Sequence, residues 1–205
     1  MSRYTGPRLK VLRALGVDLP GLSRKSMQDR PQPPGQHGAR KLTARKSGYG
    51  LQLLEKQKLR YNYGLTESQL RRVVADAKKH RGATGEKLVE LLERRLDNLV
   101  FRAGFAPTIP AARQLISHGH IRLNGKRVTI PSIRVKAGDQ FGPRESARQH
   151  PVIQQNLADP ALLRPEWIAF DGNQLAATLS HLPGGDAAAF PLDLPKVVEY
   201  YATRM

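Results

Sequence analysis

The basic side chains of Lys and Arg are the residues of this chain whose type and number indicate a chemical role, the binding of negatively charged groups. The 205 residues include 34 Lys and Arg against 17 Asp and Glu, so the formal net charge is +17. Residues 151–205 hold only three basic and six acidic residues, so the surplus lies in the first 150. A charge of this size indicates a polyanionic partner, with nucleic acid as the default. A generally basic solvated surface is the less favoured interpretation.

The most informative basic stretch spans residues 94–136, where cations alternate with apolar residues in short predicted strands. One face of such a sheet would be a core and the other would be basic. These cations are Arg94, Arg95, Arg113, Arg122, Lys126, Arg127, Arg134 and Lys136. With five Phe, six Tyr and one Trp in the whole chain, base stacking is not the expected main mode. Phosphate contacts and recognition of folded RNA shape fit better than DNA readout.

Catalytic and metal chemistry find little support in the sequence. The absence of Cys excludes disulfides, thiolate nucleophiles and cysteine-ligated zinc. His118 and His120 have no carboxylate at ligand spacing, so we expect them to bind backbone or phosphate groups rather than a metal. Motifs for nucleophilic hydrolases, nucleotide binding and zinc proteases are missing. We therefore predict no catalytic residue, no metal, no cofactor and no small-molecule substrate.

Four acidic residues within the helix predicted to begin at Thr84 follow helical spacing among Lys and Arg. This spacing predicts intrahelical ion pairs rather than an acid/base pair. They are Glu86, Glu90, Glu93 and Asp97. The glycine-flanked turn at 34–38 could offer backbone N–H groups to a phosphate, although the turn alone is a weak signal.

Helices dominate the predicted elements up to residue 118. Residues 1–47 are predicted to be an extended arm that buries little, with a short helix at 8–15 stopped by a glycine. A second helix runs from Gly50 to Gly64, and a capping box at 66–69 begins the next. Thr84 is predicted to cap a long helix that closes at Gly104. Thr108 starts a further helix that ends at residues 118–120.

The period then changes to two, which predicts strands. Strands at 121–123 and 128–130 flank Asn124-Gly125, the favoured pair for a type I′ hairpin turn. A third strand is predicted at 133–136, and a turn leads into 140–141. Another hairpin is expected at 165–175, then a loop at 182–195 and a terminal helix or docked segment. No apolar run approaches the roughly 20 residues that a membrane span needs, and no secretory signal is apparent, so we expect neither.

Many short motifs occur in an order that resembles the bacterial small-subunit ribosomal protein S-four family. They are Tyr4–Pro7, Pro34–Gly38, Tyr49–Leu53, Glu55–Lys58, Thr84–Glu86, Leu91–Asn98, Ala112–Leu115, His118–Ile121, Asn124–Gly125, Ile130–Ser132 and, at the end, Val198–Tyr201. The resemblance runs from residue 3 to about 141. Residues 94–141 alone would be less specific, because similar modules occur in pseudouridine synthases, tyrosyl-tRNA synthetases and a ribosome-rescue heat-shock protein.

The resemblance implies an α+β fold in four parts. They are a basic N-terminal arm at 1–47, a helical domain at 48–93 joined by 183–205, a small α/β RNA-binding module of two helices and a hairpin sheet at 94–155, and a hairpin extension of that module at 156–182. The family implies a structural constituent of the small ribosomal subunit that binds 16S rRNA at a helix junction of the 5′ domain. Such a protein nucleates assembly of the 30S body and contributes to translational accuracy. Its expected location is the cytoplasmic ribosome.

The implied partners are 16S rRNA, protein S-five, protein S-twelve through a functional link, protein S-three as a further candidate, and mRNA where it enters the subunit. Some family members also repress translation of their own operon. Two alternatives use the same module: an RNA-modifying enzyme and a free RNA-binding quality-control factor. Residues 151–205 are too short and featureless for the enzyme's catalytic domain, and the quality-control factor would not need the motifs at 3–7 and 34–38.

The residues expected to bind RNA come from the arm, the second helix and the module. They are Arg3, Arg8, Lys10, Arg13, Lys25, His37, Arg40, Lys41, Arg45, Lys46, Lys56, Lys58, Arg60, Arg94, Arg95, Arg113, His118, His120, Asn124, Lys126, Arg127, Arg134 and Lys136. Three features depart from the family. The four N-terminal zinc-binding cysteines of many members are absent, Thr108-Ile109-Pro110 replaces a more polar helix start, and residues 181–195 match poorly.

Overall fold

The computed structural model describes residues 4–38 and 46–204, which form two compact units. The first unit takes the described residues up to 88 together with those from 188 onward, and the second takes 89–187. In chain order the described elements are α1 (Arg8–Leu15), α2 (Gly48–Asn62), α3 (Glu67–Lys78), α4 (Thr84–Glu93), α5 (Leu96–Arg102), α6 (Ile109–Ser117), β1 (Ile121–Leu123), β2 (Lys126–Val128), β3 (Gln140–Pro143), a 3-10 turn (Glu145–Ala147), α7 (Pro151–Ala158), β4 (Ile168–Asp171), β5 (Ala176–Leu179) and α8 (Leu194–Ala202). The predicted α+β class is confirmed.

The first unit is helical, and its C-terminal helix α8 packs against α2. Tyr201 on α8 is fully buried and its hydroxyl donates to Glu67 Oε1 at 2.8 Å. The backbone N–H of Asp193, the N-cap of α8, donates to Glu55 Oε2 at 3.1 Å. These polar contacts lock the returning segment in one register on the unit.

The predicted capping box is present at the start of α3. Thr66 Oγ1 accepts from the Gln69 backbone N–H at 3.3 Å, and Gln69 Oε1 accepts from the Thr66 backbone N–H at 3.0 Å. The start of α4 differs, because Thr84 is its first helical residue rather than the residue before it.

Residues 8–22 pack into the first unit rather than forming an extended arm. Leu12 and Leu19 are fully buried, and Asn62 Oδ1 accepts from the buried N–H of Gly21 at 2.9 Å. The predicted helix and its glycine stop are confirmed, and Gly16 adopts a φ of +69°. The prolines led to the prediction of an extended arm. The sequence does not reveal the docking, because the contacts that fix these residues come from residues far along the chain.

The single helix predicted from Thr84 to Gly104 is two helices, α4 and α5. Arg95 between them is extended, with φ −68° and ψ 137°. The N–H groups of Leu96 and Asp97 donate to the carbonyls of Ile133 and Pro131, at 2.9 and 3.0 Å. Leucines on both sides of the break are buried and keep helical spacing along the sequence. Their pattern therefore does not reveal the break.

The prediction of a strand at 133–136 is also wrong. Only Arg134 in this segment forms a bridge, and its partner is Arg95. Residues 131–135 use their hydrogen-bonding groups on the break between α4 and α5 instead of on the sheet. For example, the Val135 N–H donates to the Arg94 carbonyl at 2.9 Å.

The second unit contains an antiparallel sheet with strand order β2-β1-β3-β5-β4. Asn124 and Gly125 have φ of +50° and +77°, as a type I′ turn requires, so this prediction is confirmed. Strand β2 begins at residue 126, two residues earlier than predicted, because the turn takes only two residues. The second predicted hairpin is β4 and β5. Helix α7 was not predicted.

Aromatic and aliphatic side chains of the second unit form its core between sheet and helices. The Phe105 ring lies 6.5 Å from Phe141 and 5.8 Å from Phe170, measured between centroids. Leu115 and Ile116 of α6 are also buried in this unit. None of the helices among the described residues has the length and apolarity to cross a membrane.

Candidate nucleic-acid interface

Asp97 is the polar centre of the RNA-binding module predicted from the sequence. Its carboxylate is about 1% exposed and accepts two hydrogen bonds from Arg95, at 3.1 and 2.8 Å. It also accepts from Arg113 Nε at 2.7 Å and from the Asn98 N–H at 2.9 Å. The side chains of Arg95 and Arg113 are 10% and 21% exposed. These two predicted RNA-binding residues are therefore held by a buried carboxylate.

Arg94 is also tied to the protein. Its Nη1 donates to Glu90 Oε1 at 2.9 Å, and its Nε donates to the Val135 carbonyl at 3.0 Å. The Glu90 contact is one of the predicted intrahelical ion pairs, at i and i+4. Asp97, by contrast, pairs with Arg95 and Arg113, which lie outside its helix. Because α4 ends before it, the helical spacing could not reveal these partners.

The hairpin of β1 and β2 presents the exposed cations of the module. Arg122 and Arg127 are both exposed and stand directly opposite each other in the register of the two strands. Like charges opposite each other on adjacent strands destabilise a sheet by a few tenths of a kcal/mol up to about 1 kcal/mol. Lys126 is exposed beside them. Arg122 Nη1 lies 3.9 Å from a carboxylate oxygen of Glu145, whose side chain is 75% exposed.

Asn124 shapes the hairpin rather than standing free above it. Its Nδ2 donates to Asp139 Oδ1 at 2.8 Å, and its Oδ1 accepts from the Gln140 N–H at 2.9 Å. The hydrogen bond from Asn124 lowers the pKa of Asp139, with further contributions from the Lys136 N–H and from the charges of Lys136 and Arg94 that outweigh partial burial. Asn124 thus fixes the turn that aims the basic side chains. Lys136 and Arg134 lie exposed on the segment after β2.

The two predicted histidines flank a glycine at the end of α6. His118 is exposed, His120 is half-buried, and their ring centroids are 6.1 Å apart. Gly119 between them has a φ of +73°, and a Cβ there would collide with the guanidinium of Arg127. Burial, followed by the neighbouring basic groups of His150, Arg144, His118 and Arg127, lowers the pKa of His120 below the usual 6.5. This end of the module therefore carries a dense positive charge.

In the first unit, the predicted contacts on α2 face inward. Lys56 is 4% exposed, its Nζ lies 2.8 Å from Glu67 Oε2 and it covers the Tyr200 ring at 4.9 Å. Lys58 Nζ lies 2.7 Å from Glu55 Oε1. The Arg60 guanidinium stacks on the Tyr61 ring at 4.8 Å. These cations have protein partners in the unit.

The cations of residues 8–46 are mostly at the surface. Arg8 and Arg13 donate to the carbonyls of Leu22 and Gln32, at 3.2 and 2.9 Å. Of the RNA-binding residues predicted in this stretch, Arg8, Lys10, Lys25, His37 and Lys46 are exposed. Four predicted residues, Arg3, Arg40, Lys41 and Arg45, lie outside the described residues.

Sequence reasoning missed two basic residues beside His120, Arg144 and His150, and a third, Arg148, that lies between them in the chain. Arg144 and Arg148 flank the 3-10 turn, and His150 is the N-cap of α7. The signal that could have found them is the run of two Arg and one His between residues 144 and 150. Within the described part of the chain, no cluster of three or more His, Cys, Asp or Glu side chains could hold a metal ion.

Comparison with known proteins assigns the two parts of the chain that carry the motifs to described protein families. Residues 3–93 match the family described as ribosomal protein S4/S9 N-terminal domain, and residues 94–141 match the S4 domain. A small ribosomal subunit protein uS4 from Methylobacillus flagellatus is 58% identical over 205 residues and covers 100% of both chains. The chain belongs to the uS4 family. A uS4B protein from Nitrosomonas europaea is 57% identical and a uS4 from a Synechococcus strain 45% identical, with 100% of both chains covered in each case.

Membership in the uS4 family confirms the resemblance drawn from the motifs. The S4 domain match begins at residue 94, where α4 gives way to the extended Arg95. The relatives are named as structural ribosomal proteins and not as enzymes. This agrees with the prediction that the chain has no catalytic role.

Proposed function

We propose that this uS4-family chain is a non-catalytic component of the small ribosomal subunit that binds 16S rRNA at a helix junction of the 5′ domain. In this role it nucleates assembly of the 30S body and contributes to translational accuracy. The observation that carries the proposal is the directly opposed pair Arg122 and Arg127 on the hairpin. The pair lowers the stability of the free sheet, and a bound phosphate would remove that cost.

The buried arginines give this exposed pair a rigid base. Arg95 and Arg113 bind the Asp97 carboxylate, and Arg94 donates to the carbonyl of residue 135. The break between α4 and α5 is therefore fixed both to α6 and to the segment between β2 and β3. A rigid basic face loses little conformational entropy when RNA docks, which favours affinity. We therefore assign Arg94 and Arg95 a positioning role and leave phosphate contact to exposed residues. Arg113, at 21% exposure, can do both.

The expected phosphate contacts are thus narrower than the full set of predicted cations. In the module they are Arg122, Lys126, Arg127, Arg134, Lys136 and His118, and in residues 8–46 they are Lys10, Lys25, His37 and Lys46. Lys56 and Lys58 are expected to stabilise the helical unit instead, because carboxylates already neutralise them.

Further partners follow from the family resemblance and are part of the proposal. They are protein S-five, a functional link to S-twelve, S-three, and mRNA where it enters the subunit. The divergent residues 181–195 form a partner-facing segment in this proposal. The four-part division at 47, 93, 155 and 182 is proposed on the same basis.

Salt-dependent binding to the isolated 16S 5′ domain tests the main proposal. With about eight phosphates contacted, the slope of log K against log salt should be roughly −6 to −7. A folded RNA of equal size serves as competitor. Tight, competitor-resistant binding with this slope supports the proposal. Equal affinity for both RNAs would overturn it and favour a free RNA-binding factor.

An RNA-modifying enzyme is not favoured by any observation. The match to the S4/S9 N-terminal domain occupies residues 3–93, and the relatives bear the names of ribosomal proteins. If the chain failed to bind 5′-domain RNA, that result alone would not support the enzyme hypothesis, because the chain would still lack a catalytic motif.

A further inference from the structure

Three histidine side chains converge at one corner of the second unit. His118 ends α6, His120 precedes β1, and His150 caps the N-terminus of α7. The His120 ring centroid lies 6.1 Å from that of His118 and 5.3 Å from that of His150. We call these three residues with Arg144 the histidine cluster. The sequence separates its members by 32 residues, so only the fold brings them together.

Basic groups from four segments of the second unit act on His120. They are His118 from α6, Arg127 from β2, Arg144 from the segment after β3, and His150 from α7. The Arg144 N–H donates to the His120 carbonyl at 2.8 Å and so anchors that segment. The nearby carboxylate of Glu145 is directed to Arg122 and is 75% exposed. The cluster therefore collects positive charge without an internal counter-ion among the described groups that act on His120.

Hydrogen-bonding capacity is also left over here. His120 Nδ1 and Arg144 Nε are buried and have no hydrogen-bond partner among the described residues, and the same holds for Arg148 Nε at the other end of the 3-10 turn. His150 uses its Nδ1 to accept from the Val152 N–H at 3.3 Å, which leaves its Nε2 as the donor. Buried polar atoms without partners are rare in proteins, and their grouping at one corner indicates a ligand.

We infer that the histidine cluster is a phosphate-binding subsite, in which RNA binding is coupled to uptake of a proton by His120. This inference rests on the proposed rRNA binding and deepens it. A phosphate monoanion of the RNA backbone supplies both the acceptors and the negative charge that the cluster lacks. It also fits the neighbouring hairpin, since Arg127 lies over Gly119 between two of the histidines.

The direction of the coupling follows from the charges. In the free protein, burial lowers the pKa of His120, and the neighbouring basic groups of His150, Arg144, His118 and Arg127 lower it further, so the ring is neutral near neutral pH. A phosphate beside the ring favours its charged form and raises the pKa in the complex. Binding then takes up a proton, and affinity rises as the pH falls from above the bound pKa towards the free one. For each proton taken up, the steepest part of this change is about tenfold in affinity per pH unit.

Binding of the 16S 5′ domain at constant salt between about pH 7.5 and about pH 5.5 measures the coupling. His120→Gln tests the central ring. His150→Asn removes the imidazole beside His120 but retains a favoured N-cap residue, so α7 keeps its start. His181→Gln, at an exposed histidine of the same unit, is the matched control. Using one RNA for all proteins cancels protonation of the RNA itself.

The wild-type protein and the His181→Gln control should gain affinity by roughly threefold to tenfold over this range beyond the gain of the His120→Gln protein. Circular dichroism checks that each variant folds, and NMR titration of the His120 ring with and without RNA reads its pKa directly. A raised pKa in the complex is the expected result. Equal pH slopes in all proteins, or a His120 pKa unchanged by RNA, would overturn the inference. Absence of specific binding at about pH 7.5 would instead overturn the proposed function.

Discussion

Replacing Asp97 by Asn should destabilise the RNA-binding module severely while barely changing its shape. The side chain is about 1% exposed and is the shared acceptor of Arg95 and Arg113. Asn can still accept through Oδ1 from Arg95 Nε and from the Asn98 N–H, now at 3.1 and 2.9 Å. Its NH2 group, however, would face two N–H donors.

The magnitude follows from those two donors. Arg95 Nη2 and Arg113 Nε lie 2.8 and 2.7 Å from Asp97 Oδ2, the position that becomes an amide nitrogen. A hydrogen bond to a charged group contributes about 1.5–3 kcal/mol, and breaking a buried pair costs about 3–5 kcal/mol. Arg113 can turn towards water, whereas Arg95 cannot. We therefore expect the free energy of unfolding to fall by about 3 kcal/mol.

Urea denaturation followed by tryptophan fluorescence is the appropriate assay. The chain has one Trp, and Trp167 is buried in the same unit as Asp97. The signal therefore reports on that unit and not on the helical one. With an m-value of about 1.5 kcal/mol/M, a loss of about 3 kcal/mol shifts the midpoint by about 2 M urea.

Asp171→Asn is the matched control. Asp171 is exposed in the same unit, and its Oδ1 accepts from the N–H groups of Asn173 and Gln174, which Asn can also do. Its stability should change by less than about 0.5 kcal/mol. Adding Arg113→Met to Asp97→Asn should recover about 1–3 kcal/mol relative to additivity, because it removes one stranded donor. A loss below about 1 kcal/mol for Asp97→Asn would refute the account of Asp97 as the buried centre of the module.

Three further predictions concern the exposed pair, the returning helix and the sheet. Arg122→Gln should raise the stability of the free protein by a few tenths of a kcal/mol, by relieving Arg127, and should lower the magnitude of the RNA salt slope by about 0.7–0.9. Tyr201→Phe should cost about 1 kcal/mol in urea denaturation at neutral pH, through its bond to the part-exposed Glu67. Gly142→Ala should cost about 2 kcal/mol in urea denaturation, because its Cβ would lie 2.6 Å from a backbone carbonyl oxygen.

Each of these has an internal check. Burial opposes but does not cancel the hydrogen bonds from Lys56 and Tyr201, so the pKa of Glu67 is below 4.5 in the folded state. The stabilisation is then present above 4.5 and lost as the pH falls through the folded pKa, so the cost of Tyr201→Phe should shrink in acid. Gly48→Ala, with open space around its Cβ, should be tolerated, and Lys196→Gln in the acidic quarter should leave the salt slope unchanged. A pH-independent cost, an equal cost for both glycines, or an unchanged slope for Arg122→Gln would contradict the respective predictions.

Local patterns predicted much of this fold because their causes are local. The capping box, the Asn124-Gly125 turn and the terminal helix all depend on residues that are neighbours in the chain. The failures have a common cause in distant hydrogen bonds. Residues 131–135 interrupt the helix at Arg95 and thereby cease to be a strand, and no periodicity within either segment carries that information.

The candidate site was predicted by residue type and not by role. The sequence reveals that cations are abundant at 94–136, yet an arginine that holds Asp97 and one that faces solvent have the same letter. Their environments in the fold distinguish them, since Arg95 is buried and Arg122 and Arg127 are exposed. Arg144 and His150 escaped notice because only the fold brings them to His120. Arg144 reaches it through the hydrogen bond from its N–H to the His120 carbonyl, and His150 lies at the start of α7, a helix that the sequence pattern did not indicate.

These two classes of arginine differ in what their removal does, which makes the division of labour measurable. Loss of a buried arginine strands the carboxylate that it compensates, so stability falls and binding weakens through loss of shape while the salt slope is retained. Loss of an exposed arginine removes a phosphate contact and a repulsive neighbour, so the slope falls while the free protein gains stability. Opposite signs on stability therefore identify which arginines organise the module and which ones bind the RNA. Composition alone treats all of them as one basic surface.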